Sequence, residues 1–254
     1  MSTLKSDSAN TIQRNGYFQN SIFLKILSIP LIFFGGLYAF IYTILGFFKI
    51  LNKENMSVVF SRWLHSTMRL LGFPEVRIIG RSDVPEMPRA KVYVGNHQSN
   101  WDLVIYAKMV PPRTYVLGKK EIFWIPIFGQ FFFLAGNFLI DRSSKEAGKK
   151  CIEAMNKRIA KKNHSLFVFP EGTRNKDLDT ILRPFKIGAF KIAKDTGAYI
   201  APVLSLSAPK GRPSPIFLEY LDPIDPNDFA DAESLMTHTH KIMLDHLKSF
   251  LSKN

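Results

Sequence analysis

At 254 residues the chain has room for one sizeable domain with an appendage, or for two small domains. Lys and Arg outnumber Asp and Glu by 34 to 21, a net charge of +13 that points to an anionic partner, either nucleic acid or a lipid surface. The basic residues are scattered and the aromatics gather in apolar stretches, which argues against nucleic acid. The single cysteine, Cys151, excludes an intrachain disulfide framework and a cysteine-rich zinc cluster.

Residues 1–21 read as a polar N-terminal tail and residues 22–72 as a membrane-anchoring helical module. Ile26 to Phe48 carries no charged residue and is long enough to cross a hydrocarbon core of roughly 30 Å as a helix. The run is too long, and begins too far into the chain, for a cleaved signal peptide. Pro30 removes a helix hydrogen bond and the Gly35–Gly36 pair weakens the helix near its middle. A bent or re-entrant hairpin dipping into one leaflet therefore fits as well as a single span. For a single span, Lys49, Lys53, Arg62 and Arg69 after it outweigh Lys5, Arg14 and Lys25 before it, which places the rest of the chain on the cytoplasmic side. Ser57 to Leu71 follows as an amphipathic helix stopped by Gly72. Its Val58, Val59, Trp63, Met68 and Leu71 meet either the membrane surface or the domain.

From residue 73 to 254 strands and helices alternate. Val76–Gly80 and Lys91–Gly95 read as strands around a turn-rich 81–89 segment. Trp101–Met109 reads as a helix halted by Pro111 and Pro112, and Thr114–Leu117 as a short strand. Ser143 and Glu146 make a capping-box pattern, after which Ala147, Cys151, Met155 and Ile159 recur at helical spacing and bury the thiol. Ser165–Phe169, Tyr199–Leu206 and Ile216–Leu221 complete the strands; Phe185–Thr196 and Ala232–Leu251 complete the helices. The alternation predicts an α/β domain whose mixed, largely parallel sheet is flanked by helices. The aromatic stretch from Phe123 to Phe138 reads as core that can also wall an apolar groove.

Chemistry concentrates at two places. In Gly95-Asn96-His97-Gln98-Ser99-Asn100-Trp101-Asp102, a histidine falls just past the C-terminal end of a strand, where open α/β sheets bind ligands. Asp102 falls in the first turn of the next helix. It can accept from one imidazole nitrogen, fixing the tautomer and leaving the other nitrogen to take a proton. In Phe169-Pro170-Glu171-Gly172-Thr173-Arg174, Gly172 permits close backbone approach and Arg174 offers two parallel donors to a phosphate. A sheet-end ion pair with an arginine is the structural alternative for Glu171. A base and an anion site together suggest chemistry on a phosphorylated alcohol. The sequence has no Gly-x-Ser-x-Gly elbow, so an acyl-enzyme serine hydrolase is not supported, and Ser99 reads as a turn or capping residue. It also has no metal-ligand cluster or nucleotide-binding glycine loop, so neither a metal nor a bound cofactor is expected.

These residues carry a resemblance. His97 and Asp102 resemble the His-x4-Asp motif of the glycerolipid acyltransferases, and Glu171-Gly172-Thr173-Arg174 resembles their third motif. Lys120-Glu121 and Gly136-Asn137-Phe138-Leu139-Ile140-Asp141-Arg142 are similar to the second block. Pro184-Phe185-Lys186-Ile187-Gly188-Ala189-Phe190 and Ala201-Pro202-Val203 are similar to the remaining ones. The likeness runs from about Lys91 to Leu206 in family order, and its nearest branch is the lysophosphatidic acid acyltransferases.

The resemblance implies transfer of an acyl group from acyl-CoA or acyl-carrier protein to the sn-2 hydroxyl of 1-acyl-glycerol-3-phosphate. His97 would be the base and Asp102 its orienting partner, with the Glu171–Arg174 motif at the acceptor. Lys120 and Arg142 would touch the substrate phosphate or the thioester oxyanion, and Lys186 and Gly188 would lie near the acceptor. Structural readings stand beside these: a surface lysine for Lys120, a mutual pair for Asp141 and Arg142, and helix-start packing for Lys186. The family also implies an N-terminal two-helix membrane module, with phospholipid and lysophospholipid as partners. The same motifs would serve another acceptor, such as lysocardiolipin, lysophosphatidylglycerol or an aminoacyl lipid. A non-catalytic lipid-binding protein that keeps the fold is the rival of another class. Asn55 and Asn163 open glycosylation sequons that a cytoplasm-facing domain would not use.

Overall fold

The structure, a computed structural model, describes residues 30, 33–38, 40–42, 44, 45, 48, 56–80, 88–99, 101–125, 128–141, 143–175, 177, 179–206 and 216–253. The polar tail, much of the apolar segment, the 81–87 turn, the Asn55 sequon and Arg142 lie outside the described residues.

Among the described residues one sheet forms from β1 (Val76–Gly80), β2 (Lys91–Gly95), β3 (Thr114–Lys119), β4 (Phe138–Ile140), β5 (Ser165–Val168), β6 (Tyr199–Leu206) and β7 (Ile216–Tyr220). Their order across it is β1-β7-β6-β2-β5-β3-β4. Every neighbouring pair is parallel except β6 with β7, so the sheet is mixed and largely parallel. Successive strand residues face opposite sides. Val92 and Val94 of β2, with Leu166 and Val168 of β5, enter one core, and Tyr93 and Phe167 enter the other. The first core is closed by α4 (Lys145–Lys162), α5 (Gly188–Thr196) and α6 (Ala232–Lys253) through Met155, Ile159, Phe190, Ile192, Leu235 and Met243. The second is closed by α1 (Met56–Leu70) and α2 (Asp102–Ala107) through Leu64, Met68, Val104 and Ile105. Cys151 packs half-buried against the first core, which pushes its thiol pKa up.

Several elements depart from the sequence pattern for local reasons. The aromatic stretch folds into a 3-10 turn (Lys120–Trp124), the helix α3 (Phe128–Leu134) and β4, and β3 extends to Lys119 because that residue pairs with Ile140. The helix α5 starts at Gly188 rather than Phe185, since the Lys186 N–H is taken by the Pro170 carbonyl at 2.8 Å. Ser144, not Ser143, caps α4: its hydroxyl accepts from the Ala147 N–H at 3.2 Å, while Ser143 turns to Asp141.

The amphipathic helix α1 lies under the domain. It buries Ser57, Ser61 and His65, four residues apart, as well as Met56, Val58 and Phe60. Burial pushes the His65 pKa down, and its Nδ1 lies 3.3 Å from the Val104 carbonyl. Ahead of α1, residues 33–38, 40–42, 44 and 45 are helical. The Gly35–Gly36 pair sits within that helix as a packing surface, where a Cβ at either position would come within 3.2 Å of the Trp63 ring. Phe40 meets Phe131 of α3 edge-on, with ring centroids 5.4 Å apart. Among the described residues no helix is long and apolar enough to cross a membrane.

Candidate active site

Parallel pairing of β2 with β5, in the register Val94 to Val168, makes both strands end at the same sheet edge. The two segments leaving that edge are then stitched together. The His97 N–H donates to Glu171 Oε1 at 2.6 Å, and the Asn175 N–H donates to the His97 carbonyl at 2.7 Å. Two motifs far apart in sequence thereby become one site.

Asp102 is enclosed. Its Oδ2 accepts from His97 Nδ1 at 2.7 Å, from the Gln98 N–H at 2.7 Å and from the Ser99 N–H at 2.9 Å. The Ser99 hydroxyl donates to Oδ1 at 3.3 Å and accepts from the Trp101 N–H at 3.0 Å, the turn role expected for it. The Asp102 side chain is 2% exposed and that of His97 20%. An ionised carboxylate only accepts, so its bond to Nδ1 assigns the hydrogen there and leaves Nε2 as the proton acceptor. Nε2 makes no hydrogen bond among the described residues. Phe169 stacks on the imidazole with centroids 4.2 Å apart and planes 14° apart.

Glu171, 3% exposed, splits its oxygens between two loops, Oε1 on His97 and Oε2 on the Arg183 N–H at 3.2 Å. The arginine it meets is thus engaged through the backbone. Burial raises the Glu171 pKa, and the two N–H donors oppose the rise. Gly172 adopts φ +70°, and a Cβ there would lie 2.8 Å from Lys186 Cε. The exposed Lys186 therefore runs across the same turn that carries exposed Thr173 and half-buried Arg174. Lys120 stands farther off, at the end of β3, and pairs with Asp141 at 2.7 Å. That pair, reinforced by Ser143, holds the Asp141 carboxyl down to about 2, and the expected pairing of Asp141 with Arg142 falls outside the described residues.

Several positions that shape the site were not singled out from sequence. Asn96, fully buried, donates to the Ser205 carbonyl at 3.1 Å and accepts from the Ser205 N–H and the Tyr106 hydroxyl, both at 2.8 Å. Burial drives the Tyr106 pKa well above its ordinary value. Gly95 makes room for this arrangement, since a Cβ would come within 2.9 Å of both Phe167 and Tyr106. Asn137 likewise joins α3 to β3, accepting from the Val116 N–H at 2.8 Å and donating to the Phe132 carbonyl at 3.0 Å. A polar residue adjoining a motif was the available signal for Asn96, but its partners are remote in sequence. An apolar pocket between α1, α2 and α3 is lined by Phe60, Tyr106, Phe128, Phe132, Phe167 and Phe169. Its wall includes the ring that stacks on His97. Among the described residues no three His, Cys, Asp or Glu side chains gather to hold a metal.

A family model described as Acyltransferase matches residues 75–205. The chain is 34% identical over 209 residues to a 1-acyl-sn-glycerol-3-phosphate acyltransferase of Haemophilus influenzae, covering 79% of this chain and 85% of the relative. It is 35% identical over 160 residues to the proteins of the same name from Salmonella typhimurium and Escherichia coli, covering 60% of this chain and 64% of each relative. Its fold is similar to the crystal structure of the 1-acyl-sn-glycerophosphate (LPA) acyltransferase of Thermotoga maritima. The TM-score is 0.62 at 23% identity, over 89% of this chain and 97% of that one. The chain belongs to the acyltransferase family, and with relatives named 1-acyl-sn-glycerol-3-phosphate acyltransferase it is an enzyme of that family.

Proposed function

We propose that the chain transfers an acyl group from a thioester, acyl-CoA or acyl-carrier protein, to the sn-2 hydroxyl of 1-acyl-glycerol-3-phosphate, making phosphatidic acid. The observation that carries this reading is the 2.7 Å contact of His97 Nδ1 with buried Asp102, tied through Glu171 to the arginine-bearing turn. Nε2 of His97 takes the hydroxyl proton as the oxygen attacks the thioester carbonyl. The tetrahedral intermediate expels the thiolate, which recovers that proton from His97. General-base help supplies on the order of 10²- to 10⁴-fold. Fixing the two reactants supplies on the order of 7–11 kcal/mol more. Asp102 stabilises the imidazolium as it forms, and Glu171 positions His97.

Arg174 binds the acceptor phosphate, with Lys186 across the same turn; Lys120 and Arg142 serve the phosphate or the thioester oxyanion. An apolar groove walled by the aromatic stretch from Phe123 to Phe138 receives the acyl chain. The apolar run from Ile26 to Phe48 anchors the enzyme on the bilayer with the catalytic domain on the cytoplasmic side. The test is transfer of a labelled acyl group from acyl-CoA to lysophosphatidate in detergent micelles, comparing wild type with His97→Ala. Product from the wild type alone supports acceptor and base together. Product only from another lysolipid, or only with acyl-carrier protein, moves the substrate and keeps the mechanism. Equal product from both proteins removes His97 from the chemistry.

A further inference from the structure

Trp124 is 78% exposed, and Ile125 and Phe133 are about half exposed. Phe123 joins the two aromatic residues into one surface, its ring centroid 5.3 Å from Trp124 and 5.7 Å from Phe133. On its buried side α3 meets Phe40 through Phe131, and the helix carrying Phe40 has its own exposed aromatics, Phe33, Phe34 and Tyr38. Scattered exposed apolar residues need no explanation, whereas a contiguous aromatic surface marks a binding face. The face of α3 turned the other way, with Phe128 and Phe132, lines the apolar pocket.

Topology sets where this surface stands. The 3-10 turn bearing Trp124 leaves the C-terminal end of β3, and β3 is parallel to β5, itself parallel to β2. The turn bearing Trp124 therefore lies at the same end of the sheet as His97 and the Glu171–Arg174 turn. Exposed Lys119 and Lys120 adjoin it, on a chain of net charge +13. Tryptophan favours the headgroup level of a bilayer, and lysines beside it are attracted to anionic lipid. We propose that Trp124, Ile125 and Phe133 form a second membrane-docking site, on the catalytic domain itself and separate from the N-terminal apolar helix. It seats the His97 end of the sheet against an anionic bilayer.

This inference rests on the lipid-substrate reading but has a separate readout. The full chain, purified in detergent, is diluted onto phosphatidylglycerol–phosphatidylcholine vesicles with brominated acyl chains. Wild type loses tryptophan emission that Trp124→Phe does not lose, since phenylalanine keeps the anchor and removes the reporter. A folded Trp124→Ser/Phe133→Ser variant binds the vesicles about tenfold more weakly, yet transfers acyl groups in micelles at the wild-type rate. Equal quenching in wild type and Trp124→Phe overturns the proposal. So does a double variant that binds vesicles as wild type does, or one whose only change is loss of a dimer. Quenching at Trp124 without acyl transfer to lysophosphatidate leaves the surface standing and removes the acceptor assignment instead.

Discussion

Asp102 is 2% exposed and held by donors from His97, Gln98 and Ser99, whereas Lys120 and Lys186, the lysines assigned to the anion side of the site, stand in solvent. The His97–Asp102 pair, the base of the proposed reaction, is fully held by the protein's own donors. A histidine must hold one tautomer and one orientation to be useful, and backbone donors around its carboxylate achieve that at no reorganisation during reaction. On the proposed reading the anion side admits a hydrated, charged headgroup, and cations on a turn and just past a strand end would act strongly only once that ligand excludes water. Changes on the base side should therefore lower kcat, and changes on the anion side should raise KM.

His97→Ala tests this most severely. It should reduce kcat on the order of 10²- to 10⁴-fold with an unchanged fold by circular dichroism. Adding Asp102→Ala should lower kcat little further, because the two act as a unit; a multiplicative loss would break the pairing. Arg174→Lys should raise KM for lysophosphatidate about tenfold at nearly constant kcat, since the single ammonium cannot reproduce two parallel bonds. A kcat loss instead would move Arg174 to the base side.

Glu171→Gln sharpens the comparison through pH. Burial raises the Glu171 pKa in the folded state, so the folded protein holds this proton more firmly than the unfolded chain. Its contribution favours folding below the ordinary value of 4.5 and is lost as pH rises through the raised folded value. Thermal unfolding followed across that window should show a weaker pH slope in Glu171→Gln, and an unaltered slope would refute the assignment. Lys120→Ala should do least: an unchanged unfolding temperature, because the Asp141 pair is exposed, and a KM change of no more than about threefold.

The parts of the site legible in the sequence are those that a short stretch of chain can build. His97 and Asp102 are separated by one turn, so their meeting at 2.7 Å needs only a strand end and a helix start, both marked by local pattern. Gly172 was readable as a close-approach turn for the same reason, although the side chain that approaches it belongs to Lys186. The aromatic stretch after Lys120 was not resolved into its turn, helix and strand. Phe128, Phe131 and Phe132 face pocket and core while Trp124 and Phe133 face outward, and an almost unbroken apolar run offers no period from which to divide them. Ser143 offered the capping pattern and Ser144 made the cap, a slip of one residue that tertiary contact with Asp141 decided.

Composition, hydropathy and motif spacing alone determined the α/β class, the apolar N-terminal segment, the pairing of His97 with Asp102, and the glycine turn before Arg174. These properties depend on neighbours along the chain, whose geometry the backbone restricts to a few forms. Strand order was decided only in three dimensions, and with it everything that crosses the sheet: Glu171 under His97, Asn96 between β6 and Tyr106, and the Trp124 turn at the end of the sheet that bears the site. Periodicity shows which residues of a strand face a core but not which strand lies beside it, because pairing of distant segments depends on how the whole set of apolar faces can be buried together.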